Sequence, residues 1–464
     1  MIAQMRTPAF LCVLAACLWL TAATAGAATL PPIKHVWIVV LENENYDTTF
    51  PSSGSPPAPY LAQTLPSQGE LLTQYYGTGH HSLDNYIAMV SGQPPDPQTQ
   101  GDCGTFSDFV RSGPDSPQGV ASGDGCVYPS DILTIGDQLE SKGLTWKQYA
   151  EDMANTPPTT CDHPAIGSAD GTEGARPTDQ YATKHNPFVY FHSIIDRPIC
   201  DTNVVDLSAL DGDLTSASTT PSYSFITPDL CSDGHDGSCA DGTSPGGYAG
   251  INNFLSTVVP KITGSPAYAD GGLLIVTFDE AGGDSTACCS EPAGPNTTDP
   301  GDGAGKPGGG RVGAVLLSPY IKPGSTNDTP YNHYSLLRST EDLFGLSHLG
   351  FAAQDGLVPF GADVFNQPAA PPPDPNGPKP AVAVKGAPKG CAPRSFKVHV
   401  QVTAKLLGNV RVFVDSRKVA ARKIRKFSVT VSTRKLRRGK HHVTARVTDR
   451  IGRQAHRAVP FKVC

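Results

Sequence analysis

Beyond its first 28 residues the chain has no apolar run near the ~18 residues that a membrane-spanning helix needs, so nothing later in it reads as a span. It has no Cys-x-x-Cys pair, the spacing that structural zinc prefers, which argues against a metal–thiolate site. Nor does it hold a complete phosphate loop. The stretch "GDGAGKPGGG" (301–310) resembles one, but Pro307 stands where Ser or Thr should follow Lys306, and no strand precedes it. It reads as a flexible surface loop placed to act as a lid.

At the N-terminus, Arg6 precedes the apolar run "AFLCVLAACLWLTAA" and then small residues, "TAGAA". This is the pattern of a secretory signal peptide over residues 1–28, with cleavage near Ala27 or Ala28. The mature protein is therefore expected to be secreted or held at the cell surface. Cys12 and Cys17 leave with the signal, and ten of the 12 cysteines remain, an even number suited to disulfides in an oxidising compartment. Cys391 and Cys464 open and close the final module and are expected to pair. Adjacent Cys288 and Cys289 are expected to staple different loops.

The net charge of −7 conceals two opposed parts. Residues 391–464 carry 20 Lys and Arg against two Asp, a net of +18, and the remainder carries 16 against 41 acids, a net of −25. Such asymmetry points to two domains with different partners. A Pro-rich linker, 368–390, separates them and should be extended. After it, runs such as "SFKVHVQVTA", "NVRVFVDS" and "KFSVTVST" alternate with period two between turn signals, as in a small antiparallel β-sandwich of immunoglobulin-like type.

The body, 29–367, has a different pattern. "HVWIVVLE" (35–42) and "GGLLIVTFDE" (271–280) are continuous apolar runs ending in acids, the mark of parallel strands buried on both faces. "SYSFITPDL" (222–230) and "RVGAVLLSPYI" (311–321) look similar. Helical patterns lie between them, so the fold class is α/β: an open sheet with helices on both faces. Ligands of such sheets bind at the carboxyl ends of the strands.

Two acid-bearing pairs stand at those ends, Glu42-Asn43 and Asp279-Glu280, and their oxygens suit a hard divalent cation. As plain helix caps they would need no such role. Ser82 lies just before an apolar helical run, where a serine is an ordinary N-cap. There its hydroxyl also meets free N–H groups and the positive end of the helix dipole, which favour phosphate. Asn85, one turn on, can donate to a phosphoryl oxygen. His185, His235-Asp236 and His333 occupy loop or helix-start contexts, where a lone histidine is more often merely solvated or structural.

The motifs "WIVVLENENYD", "GHHSLDNYIAMVSG", "KHNPFVYF", "ITPDLCSDGHDGS", "LLIVTFDEAGG" and "YNHYSLLRSTEDLFGL", in this order, resemble the bacterial phosphoesterase family of secreted acid phosphatases and phospholipases C. The resemblance is strongest to the short acid phosphatases, including those that dephosphorylate phosphoinositides. It implies an alkaline-phosphatase-like fold and a divalent metal ion held by Glu42, Asn43, Asp279 and Glu280. It implies Ser82 as nucleophile, Asn85 holding the phosphoryl group, and His185, His235, Asp236 and His333 lining the pocket, one of them protonating the leaving group. The chain departs from the His-Pro-Ser-x-Pro-Asn-Tyr pattern of short members: His81 and Asp84 replace the prolines, and Asp84 adds negative charge near the phosphate. "DEAGG" shortens the family's acidic cluster, which counts against a second metal.

The expected function is thus hydrolysis of phosphate monoesters, whether small molecules or lipid headgroups, through a phosphoserine intermediate. The first alternative is a phospholipase C-type phosphodiesterase. The second, of another class, is a catalytically inactive surface-binding protein that uses the basic tail. That tail is expected to meet an anionic cell-wall polymer or membrane surface, and its few aromatics argue against specific nucleic-acid recognition.

Overall fold

The computed structural model describes residues 30–155, 157–301, 305–367, 379–404, 407–449 and 454–464. The segment read as a signal peptide and most of the Pro-rich linker lie outside them. Apolar residues gather into one large core and a smaller one built wholly from the tail.

The large core surrounds an eight-stranded mixed sheet. Its strands are β1 (His35–Leu41), β2 (Glu70–Leu72), β3 (Trp146–Ala150), β4 (Val204–Asp206), β5 (Tyr223–Thr227), β6 (Gly272–Phe278), β7 (Ala314–Leu317) and β8 (Ser325–Asn327). Across the sheet they run β8-β2-β7-β6-β1-β5-β3-β4. Every residue of β1, β5 and β6 is buried, as their unbroken apolar runs require of strands covered on both sides. β1 lies parallel to both β5 and β6. β7 does not follow the parallel reading of its sequence: it runs antiparallel to β6 and β2. An apolar run reports burial on two faces but carries no information on direction.

Helical patterns between the strand runs form α1 (Ser82–Ser91), α2 (Ile135–Ser141), α3 (Gly247–Thr263) and α4 (His333–Phe344). All ten residues of α1 are buried. Gly92, left-handed at φ 70°, ends that helix, the conformation that glycine adopts without Cβ strain.

In the tail, β9 (Ala381–Lys385), β10 (Ser395–Thr403) and β13 (Lys426–Ser432) form one antiparallel sheet. A second contains β11 (Leu407–Val414), β12 (Arg417–Arg422), β14 (Gly439–Asp449) and β15 (Gln454–Val463). β10 alternates exposed and buried along its whole length, and valines of both sheets share one core. β9 was expected to be linker; it is instead a strand paired with β10, because Val382 and Val384 pack onto that core.

Five disulfides link the ten cysteines of the described residues. Cys391 is bonded to Cys464, as expected. Cys288 and Cys289 are bonded to each other rather than to separate loops. The other eight find partners among themselves, and left-handed Cys289 (φ 65°) turns the chain at this step.

Candidate active site

The site is set by register. Leu41 pairs with Phe278 at the ends of β1 and β6, so Glu42 and Asp279 leave adjacent strands side by side. On the other flank of β1, the loop after β5 brings Asp233, whose carbonyl accepts from Glu42 N at 3.0 Å. Glu42, Asp233 and Asp279 are fully buried and Glu280 nearly so.

Ser82 is the first residue of α1, not its cap: His81 holds that position, in extended conformation. The Ser82 hydroxyl donates instead to Glu42 Oε2 at 2.8 Å. One turn on, Tyr86 OH donates to Glu42 Oε1 at 2.6 Å, and its ring stacks on His185 at 5.2 Å. Glu42 is thus gripped by two hydroxyls of one helix. Burial, opposed by the bonds from Tyr86 and Ser82 and by Lys184, pushes its carboxyl up to about 7.

Asn85 has a different task from the one expected. Its Oδ1 accepts from Thr78 N and Gly79 N at 2.8 and 2.9 Å, and its Nδ2 donates to Gly79 O, His81 O and Glu280 Oε2. The amide is spent on shaping the 78–81 turn that delivers Ser82. The glycine-rich loop helps from beneath. Gly309 O accepts from Ala281 N and Gly310 O from Gly77 N, and a Cβ on Gly309 would meet Gly79 O at 2.0 Å. This end of the loop is packed scaffold rather than a lid; residues 302–304 lie outside the described ones.

The histidines separate. His185 is buried, with Nε2 3.3 Å from Glu42 Oε1 and Nδ1 3.5 Å from Asp233 Oδ2. Burial, with Lys184 and His235 nearby, pushes it well below the usual histidine range, so it stands neutral. His235 is about half exposed, at 46%, with Nδ1 2.8 Å from Asp236 Oδ1. His333 does not line a pocket: it is fully buried, with Nε2 2.5 Å from Asp279 O and Nδ1 3.1 Å from Tyr75 OH. Its ring supports the backbone at Asp279, and burial lowers it to about 4.

Asp84 is buried behind Gly79, whose Cβ would collide with its carboxylate. Burial, with Glu280, Asp102 and Asp96 around it, pushes its carboxyl well above the usual range, against the added charge expected of it. Four contributors were not among the site residues expected from the sequence: Tyr86, Lys184 and Asp233, which lie inside the motifs, and Asp102. Asp102 accepts from Leu83 N at 3.0 Å, which satisfies a free donor of the α1 N-terminus, and from Lys184 Nζ at 2.9 Å. Arg338, the other Lys or Arg residue inside the motifs, lies elsewhere, donating to Ala352 O and Gln354 O.

The donor set has the chemistry a hard divalent cation requires. Four buried carboxylates crowd together, each held above its ordinary range first by burial and then, for Asp233 and Asp279, by the neighbouring Glu42. Asp279 Oδ2 and Asp233 Oδ2 are buried without a hydrogen-bond partner. Among the described residues no group of three His, Cys, Asp or Glu is already arranged to hold a metal ion; Glu42 is turned to Ser82 and Tyr86 instead.

A buried serine at a helix start, bonded to a carboxylate on the carboxyl edge of a mixed α/β sheet, defines a hydrolase-type site. The chain belongs to the phosphoesterase family, matching it over residues 55–347. That span includes every candidate site residue except Glu42 and Asn43. The chain is 28% identical to a phosphate-repressible acid phosphatase of Penicillium chrysogenum over 62% of its own length and 54% of that protein's. To a phosphatidylinositol-3-phosphatase of Mycobacterium tuberculosis it is 27% identical, over 70% of its own length and 82% of the other. It thus spans about half the length of the Penicillium enzyme. Among solved structures, a Vibrio parahaemolyticus protein of the alkaline phosphatase superfamily overlaps 82% of this chain and 78% of its own at a TM-score of 0.41 and 13% identity.

Proposed function

We propose that the chain is a phosphoric ester hydrolase of the acid phosphatase kind, acting on phosphate monoesters with Ser82 as nucleophile. The observation that carries this reading is the 2.8 Å bond from Ser82 Oγ to Glu42 Oε2. It gives the hydroxyl a base and a fixed direction at the edge where such sheets bind ligands. The names of the relatives support monoesters, including phosphoinositide headgroups, as substrates. One reading of the halves is a secreted catalytic body, 29–367, and a basic module, 391–464, to which strand β9 from the intervening stretch is added.

In the first step Ser82 Oγ bonds to phosphorus while the ester P–O bond breaks, and the serine proton passes to Glu42. His235, partnered by Asp236 and open to water, delivers a proton to the departing oxygen. Water then bonds to phosphorus and gives one proton to His235, the P–Oγ bond breaks, and the proton held at Glu42 returns to Ser82. Tyr86 and Asn85 orient Glu42 and the serine turn. A divalent ion, held by Glu42, Asn43, Asp279 and Glu280 with Asp233 beside them, would supply positive charge for the phosphoryl oxygens.

The phosphodiesterase reading keeps one observation in its favour. The buried cation of the site, Lys184, is already paired with Asp102, and a diester carries less charge to neutralise than a monoester. Hydrolysis of p-nitrophenyl phosphate and of its bis-ester, with and without chelator and in Ser82→Ala, tests both. Monoester turnover lost in Ser82→Ala supports the proposal; preference for the bis-ester moves the enzyme to the phospholipase C side. No turnover of either by folded, metal-supplied protein overturns both.

A further inference from the structure

The four-stranded sheet of the tail carries a feature that its own folding does not explain. Register places Ala421, Arg411, Arg446 and His456 in one row across β12, β11, β14 and β15, and Lys418, Phe413, Thr444 and Ala458 in the next. Arg411, Arg446 and His456 are exposed. Directly opposed residues of an antiparallel pair hold their Cβ atoms about 5 Å apart, and like charges there are destabilising. Neither arginine makes a hydrogen bond or ion pair with another of the described residues. Asp415, the tail acid whose side chain is described, is taken by His441 and by the backbone of His442. The Arg446 guanidinium lies 5.1 Å from the centre of the Phe413 ring, which holds it on the sheet by cation–π attraction.

Two guanidinium groups on directly opposed residues, with no counter-charge beside them among the described side chains, are a receptor for an anion that both can fork. We propose that the Arg411–Arg446–His456 row binds the phosphate groups of a linear phosphodiester polymer that carries no bases, of the polyol-phosphate kind. Lys418, exposed on neighbouring β12 and opposite Phe413, extends the cationic track beyond one phosphate. Among the described residues the face offers no exposed large apolar side chain to enter a bilayer; of the tail's described residues Ile424, at 52% exposure, fits that description and lies in the turn between β12 and β13 instead. It also offers no platform for bases. The tail contains no Trp or Tyr, Phe396 and Phe461 are buried, and Phe413 lies beneath Arg446. Binding at this row does not depend on the phosphatase reading.

The test uses the full chain in the Ser82→Ala background with chelator, so that no turnover disturbs binding. Affinity for soluble poly(glycerol phosphate) is measured from about 50 to about 200 mM salt, the range over which phosphate contacts reveal themselves. R411A/R446A should lose at least ~10-fold in affinity and flatten the salt dependence. K397A/K426A removes the same charge from outward positions of the other sheet and should lose less than ~2-fold, as a general charge effect does at a distance. R411K/R446K, which keeps the charge without the planar fork, should fall between the parent and the alanine pair. Thermal melts of all variants should stay close to the parent, because the one folding contact touched is the exposed Arg446–Phe413 cation–π pair. Equal loss in the two alanine pairs, absence of polymer binding by the parent, or tighter binding to single-stranded DNA or phosphatidylglycerol vesicles would each overturn the proposal.

Discussion

Tyr86→Phe removes one oxygen and leaves the ring stacked on His185, so it isolates the grip on Glu42. The lost bond is short, 2.6 Å, fully buried, and made to a carboxylate. Hydrogen bonds to charged groups contribute about 1.5–3 kcal/mol net. If Glu42 must be held against Ser82 for the serine to attack, that energy is lost from the transition state. At 1.36 kcal/mol per decade, it corresponds to a fall in kcat of about 10- to 150-fold. KM should change little, since neither Tyr86 nor Glu42 is expected to choose the leaving group. The assay is steady-state hydrolysis of p-nitrophenyl phosphate beside a thermal melt, because Glu42 Oε1 keeps only the more distant His185 at 3.3 Å. A folded Tyr86→Phe protein with kcat within ~3-fold of the parent, well short of that range, would refute the claim that Tyr86 positions the base.

Removing the Cys391–Cys464 bond opens a loop with a sequence separation of 73, and chain entropy assigns such a loop about 4 kcal/mol. C391S/C464S should therefore become trypsin-sensitive in the tail while Trp37 and Trp146 fluorescence, both from the body core, unfolds as before. Glu341→Gln should raise thermal stability at pH 8–9 and leave it unchanged near pH 4. Burial pushes the Glu341 carboxyl up to about 9, so the folded state keeps a proton that the unfolded chain releases above about 4.5, and the parent's stability falls as pH climbs through that window. Melts across pH 4–9 decide it, and a parallel pair of curves would remove the argument. Gly309→Ala should destabilise the body by about 1–3 kcal/mol and lower activity, since backbone, not a movable side chain, occupies the Cβ position. Gly283→Ala, with nothing within 4 Å, should be neutral in the same denaturant titration.

The strands β1, β5 and β6 were readable because continuous apolar runs have one stable use in a large core, and α1 and α4 because their apolar residues recur with helical period. The acids after β1 and β6 were readable for the same local reason: they are the first polar residues beyond a buried strand. Ser82 was placed correctly at a helix start, but its hydroxyl bonds across to Glu42, 40 residues away in sequence, rather than capping its own helix. His333 was expected in the pocket from the family resemblance, and only packing shows that Tyr75 and Asp279 close over it. Asp233 drew no attention beside His235 and Asp236, although it is the one that lies fully buried against His185.

The sequence by itself determined the hydropathy pattern of each segment, and with it the α/β body, the alternating strands of the basic tail and the charge that divides them. Tertiary structure decided which strand ends became neighbours, and so which carboxylates share a site. It also decided the antiparallel direction of β7, the bond between Cys288 and Cys289, and the meeting of Arg411 with Arg446 across two strands. The physical reason is range. Periodicity and burial act on residues a few positions apart, whereas register and long-range pairing join residues that nothing in the linear pattern relates.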